Sequence, residues 1–343
     1  AANRHHLEPV PIAGRYWREG LARPGGETGD HGHRRLTGAG HGHGEGRAKS
    51  CYDRGAARAI AMDFYQWLFW VVVFFTGAAI GSFLNVVIYR LPRGLSLLHP
   101  PSHCPSCGAR LRPAELVPVV SWLVLLGRCR HCRHRISARY PLVEAASGLL
   151  ACASVYFNGP YLPALLVYAA CAALLVTFFV DLDHMIIPDQ VHWVLGAAGV
   201  LLDIRRIWFR GLAGMVTLSE RVGDHTLTMA WPQSLVGAAM GAALFLALGY
   251  VAQVIFRRPA LGLGDVKLAA AMGTLLGPGY YFISFFLLAA VLGGLTGLVV
   301  LVAARGRGRG HYLPFGPMLA LSGIAMALAP EQVSRVVLAR FLI

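Results

Sequence analysis

The sequence predicts an all-α polytopic membrane protein with about eight transmembrane helices. Of its 343 residues, 56% are apolar and only 14% are charged, whereas about a quarter of an average soluble domain is charged. Several apolar runs approach the roughly 20 residues that a helix needs to cross a bilayer. These observations exclude disordered, fibrous and disulfide-scaffold proteins. They also exclude a soluble protein of two domains, which the length alone would suggest.

Residues 1–61 differ in composition from the rest of the chain. They are rich in Gly, Arg and His, and they lack the continuous apolar region of a signal peptide. We expect a disordered or non-native N-terminal extension, with Met62 as the natural start. His-rich tracts can bind metal ions, but His residues spaced by Gly in a coil offer no fixed geometry for one.

Eight apolar segments are predicted to be membrane helices. We divide the chain into a first transmembrane helix within 62–90, a cytoplasmic loop at 91–140 and a membrane core at 141–343. Proline and glycine at the segment ends, as in Asn158-Gly-Pro160, favour tight turns. The predicted segments are 65–89, 141–158, 161–180, 190–203, 234–256, 265–278, 280–303 and 314–330.

The formal charge of +14 is explained by membrane orientation better than by nucleic-acid binding, because the basic residues stand between apolar segments. With the N-terminus outside, three Arg-rich loops lie in the cytoplasm, as the positive-inside rule requires. These loops are 90–140, 257–258 and 305–309. A basic insert at 204–231 then falls outside, against the rule. Within it, Val222-Gly-Asp-His225 predicts the turn of a short β-hairpin over 212–231.

Two Cys-x-x-Cys pairs stand in the long loop. Cys104 with Cys107 and Cys129 with Cys132 have the spacing of two zinc knuckles that close a tetrahedral four-thiolate site. Cytoplasmic thiols stay reduced, so zinc is favoured over a redox dithiol or unliganded cysteines. Four protein ligands leave no open position, so the predicted zinc is structural.

Two acidic elements stand in apolar surroundings, where acidic residues are functional by default. One is Asp181-Leu-Asp183-His-Met-Ile-Ile-Pro188-Asp189, and the other is Gly262-Leu-Gly264-Asp265-Val-Lys267. Both fall at the cytoplasmic face in the orientation deduced from charge. Two carboxyl groups that meet there can share one proton, so that one activates a water and the other protonates a carbonyl, as in aspartic proteases.

The remaining residues of these elements are given supporting roles. Gly262 and Gly264 are expected to allow a backbone turn and a close approach at a buried acid. Lys267 is expected either to lower the pKa of Asp265 or to reach the phospholipid headgroups. Asp183 is expected to point away from Asp181, and Asp189 to cap a helix. The alternative for Asp181 and Asp265 themselves is also helix capping.

The motifs resemble those of a known family. Gly262-Leu-Gly-Asp265 resembles the G-x-G-D motif of membrane aspartyl proteases, and with the Asp181–Asp189 element it is similar to the prepilin peptidases of type IV pilus and type II secretion systems. The resemblance runs in order from about residue 62 to 330. The chain departs from the family pattern at its N-terminal stretch and at the 204–231 insert. Further elements that fit are the two cysteine pairs, Gly81-Ser-Phe-Leu-Asn-Val-Val-Ile-Tyr-Arg-Leu-Pro92, Arg139-Tyr-Pro-Leu-Val-Glu144 and Pro314-Phe-Gly-Pro317.

The resemblance implies an aspartic leader peptidase of the bacterial inner membrane. It would cut prepilins or pseudopilins after a Gly on the cytoplasmic side, with Asp181 and Asp265 matching the catalytic acids, and would serve pilus or type II secretion machinery. It also implies N-methylation of the new N-terminus with S-adenosylmethionine, for which the resemblance supplies no binding residues. Two alternatives stay open: a proton-coupled transporter that uses both acids as a relay, and a zinc-bearing membrane scaffold.

Overall fold

The computed structural model describes residues 44–99, 101–222, 225–257, 261–303 and 314–341. Contacts divide the chain into two units, residues 1–73 and residues 74–343. The first 43 residues of the predicted N-terminal extension lie outside the described part. The second unit contains both acidic elements and both cysteine pairs.

Ten α-helices and one β-hairpin are found in the described residues. Each of the eight predicted apolar segments corresponds to a helix. The helices are α1 (Gly44–Arg90), α2 (Val120–Val124), α3 (Arg139–Asn158), α4 (Leu162–His184), α5 (Asp189–Arg210), α6 (Gln233–Phe256), α7 (Leu263–Leu276), α8 (Tyr280–Ala303), α9 (Gly316–Leu328) and α10 (Pro330–Phe341).

Five of the described helices contain segments that are long and apolar enough to cross a bilayer. The protein is therefore a multi-pass, mostly helical membrane protein, but the predicted count of eight spans is not confirmed. The α7 and α9 helices have only 14 and 13 residues, and α5 is interrupted by charged residues in its second half. The five segments are Asp63–Arg93, Arg139–Asn158, Leu162–His184, Gln233–Ile255 and Tyr280–Val302.

The α4 helix forms the centre of the core, because it is apolar on every side and buries most of its length. A buried hydrogen-bond network ties it to α1 and α3. The Ser147 hydroxyl donates to the carbonyl of Gly77 at 2.7 Å, and the Tyr168 hydroxyl donates to the same oxygen at 3.1 Å. Such bonds replace water for polar groups in an apolar layer.

The short α7 helix packs closely against α6 through facing glycines. A Cβ atom on Gly237 would lie 2.1 Å from the carbonyl oxygen of Gly273, and a Cβ on Gly273 would lie equally close to the carbonyl oxygen of Gly237. Any side chain at either position would force the two helices apart. This contact fixes the position of α7, whose first turn carries Asp265.

The predicted hairpin is confirmed. Strands β1 (Val216–Val222) and β2 (His225–Trp231) pair antiparallel, with Val216 opposite Trp231 and Val222 opposite His225. At its base the buried Asp203 of α5 accepts hydrogen bonds from the Ser234 N–H of α6 at 2.8 Å and from Arg206 at 3.0 Å. Asp203 therefore ties α5 to the start of α6 across the insert.

Candidate active site

Asp181 lies in the last turn of α4 with only 6% of its surface exposed. Its carboxylate lies against Gly316, at the start of α9. A Cβ atom on residue 316 would lie 2.6 Å from the Asp181 Oδ2 atom, so any larger residue there would have to displace the carboxylate or α9. The chain before α9 thus contacts the buried acid directly.

Asp265 lies in the first turn of α7, which begins at Leu263. Its carboxylate lies beside Gly262, and its backbone N–H donates to the Gly262 carbonyl at 3.1 Å. The positive end of the helix dipole also favours a carboxylate at this position. The Asp265 side chain is therefore held by the helix start that the sequence predicted.

The two acids line one cavity of about 610 Å³, and their carboxyl groups are close enough to interact electrostatically. Apart from them, the wall is mostly apolar, which makes two adjacent negative charges costly. The other lining residues are Met185, Phe245, Leu248, Leu261, Gly262, Phe286, Ala290, Pro314 and Phe315.

The structure does not support the predicted reason for the two glycines before Asp265. Gly262 has φ −76°, and Gly264 is not among the residues with positive φ. A Cβ on Gly262 would lie 3.5 Å from Asp265, and one on Gly264 would lie 3.4 Å from Ile187. These are ordinary contacts, so neither a left-handed turn nor a close approach within the chain requires glycine here.

Asp183 is not part of the cavity lining, and its side chain is 41% exposed. It forms an ion pair with Arg139, whose guanidinium also lies 5.0 Å from the centre of the Phe179 ring. This contact joins the first residue of α3 to the end of α4. The Glu144 carboxylate, in the next turn of α3, accepts the backbone N–H of Val119 at 2.7 Å.

Asp189 and Lys267 form an ion pair, with 2.7 Å between the lysine Nζ and a carboxylate oxygen. The helix-cap interpretation of Asp189 is wrong, because Pro188 holds the N-cap position and Asp189 is the first residue of α5. Lys267 lowers the pKa of Asp189 by hydrogen bonding and by its charge. The pair joins the first turns of α5 and α7, so Lys267 has a carboxylate partner other than Asp265.

The four cysteines of the loop form one cluster, in which all four sulfur atoms lie within 4.8 Å of one another. Each pair folds as a knuckle: the Cys104 N–H donates to the Ala109 carbonyl, and the Cys129 N–H donates to the His134 carbonyl. The backbone N–H groups around Cys104 favour its thiolate and lower its pKa to about 6. A compact tetrad of thiolates is suited to a metal ion such as zinc.

Two segments of the chain match known protein families. Residues 75–157 match the bacterial peptidase A24 N-terminal domain, and residues 168–298 match the type IV leader peptidase family. The chain is 33% identical over 306 residues to the prepilin leader peptidase/N-methyltransferase of Aeromonas hydrophila, a match that covers 80% of this chain and 96% of that protein. The chain belongs to the type IV leader peptidase family.

Two further relatives of this family have similar identity. The prepilin leader peptidase/N-methyltransferase of Burkholderia pseudomallei strain 1026b is 35% identical over 279 residues, covering 73% of this chain and 82% of the relative. A type 4 prepilin-like proteins leader peptide-processing enzyme of Escherichia coli is 35% identical over 269 residues, covering 73% and 90%. No solved structure matches significantly. These names do not support the transporter alternative.

The matched segments coincide with the two features described above. The N-terminal match contains the four cysteines, and the C-terminal match contains both Asp181 and Asp265. Sequence reasoning assigned no role to Gly316 and did not find the contact of Val119 with Glu144. The sequence signal for Gly316 is its place in the segment Pro314-Phe-Gly-Pro317.

Proposed function

We propose that the protein is a membrane aspartic endopeptidase that removes the leader of type IV prepilins or pseudopilins, with Asp181 and Asp265 as its catalytic pair. The observation that carries this assignment is the presence of both acids in one cavity. They come from α4 and α7, and this chain is similar to prepilin leader peptidases over most of its length.

The chemistry follows from one shared proton. The ionised carboxylate takes a proton from a water, whose oxygen attacks the carbonyl carbon of the scissile peptide. The protonated carboxyl group donates its proton to the carbonyl oxygen, which gives a neutral tetrahedral intermediate. Collapse of that intermediate breaks the C–N bond, and the amine leaves with a proton from the pair.

The walls of the cavity are suited to a substrate that comes from the membrane. Apolar side chains such as Phe245 and Phe286 line it beside the acids, so an apolar segment of the substrate can pack there while one water reaches the carboxyls. The Gly262 backbone forms part of the lining. The fold itself does not require glycine at Gly262 or Gly264. We therefore propose that the missing side chains leave room for an extended substrate backbone to approach Asp265.

We place the protein in the bacterial inner membrane, with the acids and the cysteine cluster at the cytoplasmic face. The arginines of the 90–140 loop support this orientation. Prepilin or pseudopilin substrates and pilus or type II secretion machinery are the partners. We expect no nucleic-acid partner. The 204–231 insert then lies on the extracytoplasmic side of this membrane, away from the cavity.

Two cofactors belong to the proposal. Zinc would be held by Cys104, Cys107, Cys129 and Cys132, where it would stabilise the loop rather than take part in cleavage. S-adenosylmethionine would supply a methyl group to the new N-terminus. The second activity rests on the names of relatives such as the Aeromonas hydrophila protein.

The test is a cleavage assay with the purified full-length protein in lipid vesicles and a prepilin that retains its hydrophobic N-terminal helix. We expect release of the leader after a Gly, detected by the mass of both products. A prepilin in which that Gly is replaced by a bulky residue is the matched control. Failure to cut the intact prepilin would contradict the proposed function.

A further inference from the structure

The loop between α1 and α3 carries an apolar segment that the cysteine cluster does not bury. We name residues 116–126 the apolar finger; they read Leu-Val-Pro-Val-Val-Ser-Trp-Leu-Val-Leu-Leu and include α2. None of them is buried. Leu123, Val124 and Leu126 are 57%, 75% and 82% exposed, as much as side chains on the outer faces of the spanning helices, such as Leu149 at 63%.

Contacts at the base of the finger show its depth. The Val119 N–H, directly before α2, donates to the Glu144 carboxylate at 2.7 Å. Glu144 is buried and lies in the second turn of α3, whose spanning segment begins at Arg139. At 1.5 Å per residue, it lies about 7 Å along the helix from that start. The finger therefore begins beside the second turn of α3, within a segment that is long and apolar enough to span a bilayer.

The finger is also at the end of the helix bundle that carries the acidic cavity. Arg139 pairs with Asp183, two residues after the cavity acid Asp181. The Asn85 side chain of α1 donates to the carbonyl of Tyr140 at 3.1 Å. These contacts fix the start of α3, and with it the finger, at the end of the bundle where α4 terminates.

The finger is attached firmly to the cysteine knuckles. The Trp122 indole N–H donates to the carbonyl of Ile136 at 3.1 Å, and the Ile136 N–H donates to the carbonyl of Gly127 at 2.7 Å. Exposed arginines stand on both sides of the finger. They are Arg110, Arg112, Arg128 and Arg130.

We propose that the apolar finger inserts into the leaflet on the side of the active site, with the flanking arginines on anionic phospholipid headgroups. Its depth beside α3 exposes Leu123, Val124 and Leu126 to acyl chains, where burial of apolar side chains is favourable. The positive flanks match the anionic surface of such a leaflet. The finger thereby anchors the cysteine module to the membrane beside the cavity.

A photo-crosslinking experiment tests this inference. The full-length protein carries benzoylphenylalanine at position 124 or, as a matched exposed polar site of the same module, at position 106. It is placed in vesicles of phosphatidylethanolamine and phosphatidylglycerol that contain an alkyne-tagged phospholipid. We expect the tagged lipid on the 124 probe and only background on the 106 probe. Equal labelling of both probes, or none at 124, would overturn the proposal.

A pair of variants at position 124 distinguishes loss of membrane insertion from unfolding of the cysteine module. With the probe at 126, Val124→Asp should reduce lipid labelling to background, whereas Val124→Leu should keep it. Unchanged zinc content in both variants would show that the module is folded. Persistent labelling of folded Val124→Asp, or crosslinks from position 124 to added prepilin or to a second copy in place of lipid, would contradict insertion. Labelling requires no cleavage, so its result is independent of the proposed peptidase activity.

Discussion

Gly316 lies directly beside the carboxylate of Asp181, and the absence of a side chain at this glycine leaves the space that the carboxylate occupies. The contact joins the start of α9 to the end of α4, residues far apart in sequence. It holds one acid of the cavity in place, and it identifies a residue on which the geometry of the proposed catalytic pair depends.

Substitution Gly316→Ala should therefore reduce cleavage strongly. The new Cβ atom would lie 2.6 Å from the Asp181 Oδ2 atom and must displace either the carboxylate or α9. A displacement of about 1 Å in a catalytic group typically costs about 100-fold in rate. The measurement is the initial rate of prepilin cleavage in vesicles.

Gly294→Ala is the matched control, because a Cβ atom at that exposed site in α8 meets nothing within 4 Å. Its rate should stay near that of the wild type. A Gly316→Ala protein that cuts prepilin at the wild-type rate would show that this contact does not position the acid.

The ion pair of Asp189 with Lys267 should contribute a pH-dependent stability. Lys267 lowers the pKa of Asp189 below its ordinary value of 3.8. The contribution is therefore fully present above the ordinary pKa and is lost as the pH falls through the lowered one. Thermal unfolding of wild type and Asp189→Asn should differ slightly at neutral pH, since exposed ion pairs contribute little, and the difference should vanish in acid.

Lys267→Met supplies the control for that prediction. It removes the same ion pair, so adding Asp189→Asn to it should lower the unfolding temperature by less than Asp189→Asn does alone. Asp189→Asn should retain substantial cleavage. A difference between wild type and Asp189→Asn that grows as the pH falls below about 4 would have the wrong sign for this linkage.

Replacement of Cys104 and Cys129 by serine should remove about one zinc per chain, because each change breaks a tetrahedral four-thiolate site. The 91–140 loop should then become sensitive to limited proteolysis, since metal binding and local folding are coupled. Cys171→Ser, which alters a buried cysteine outside the cluster, should leave zinc content unchanged. Purified wild-type protein without zinc would contradict the assignment.

The sequence predicted the helices better than it predicted their membrane topology. Long apolar runs located α3, α4, α6 and α8 within a few residues, because burial in lipid or in the core requires the same composition. Composition could not separate a spanning helix from the short, core-packed α7. The α10 helix was not predicted as a separate element because polar residues alternate with its apolar ones.

The two acids and the four cysteines were predictable because their chemistry is unusual in an apolar chain. Their partners were not. The contacts of Gly316 with Asp181, of Lys267 with Asp189 and of Val119 with Glu144 join segments that are distant in sequence. Such contacts depend on how the helices pack, which no local pattern reports.

The most direct test of the account is the rate of prepilin cleavage by Asp181→Asn, Asp265→Asn and the double variant, with Asp183→Asn as the control outside the cavity. Each single change keeps the shape of the side chain but removes one carboxyl of the proposed pair. We expect both singles to abolish cleavage, the double to be no worse, because the pair acts as a unit, and Asp183→Asn to remain active. If the cysteine loop houses the proposed methyltransferase activity, methylation of an already-cleaved substrate should persist in all four variants. Near wild-type cleavage by a folded Asp181→Asn or Asp265→Asn protein would contradict the catalytic pair.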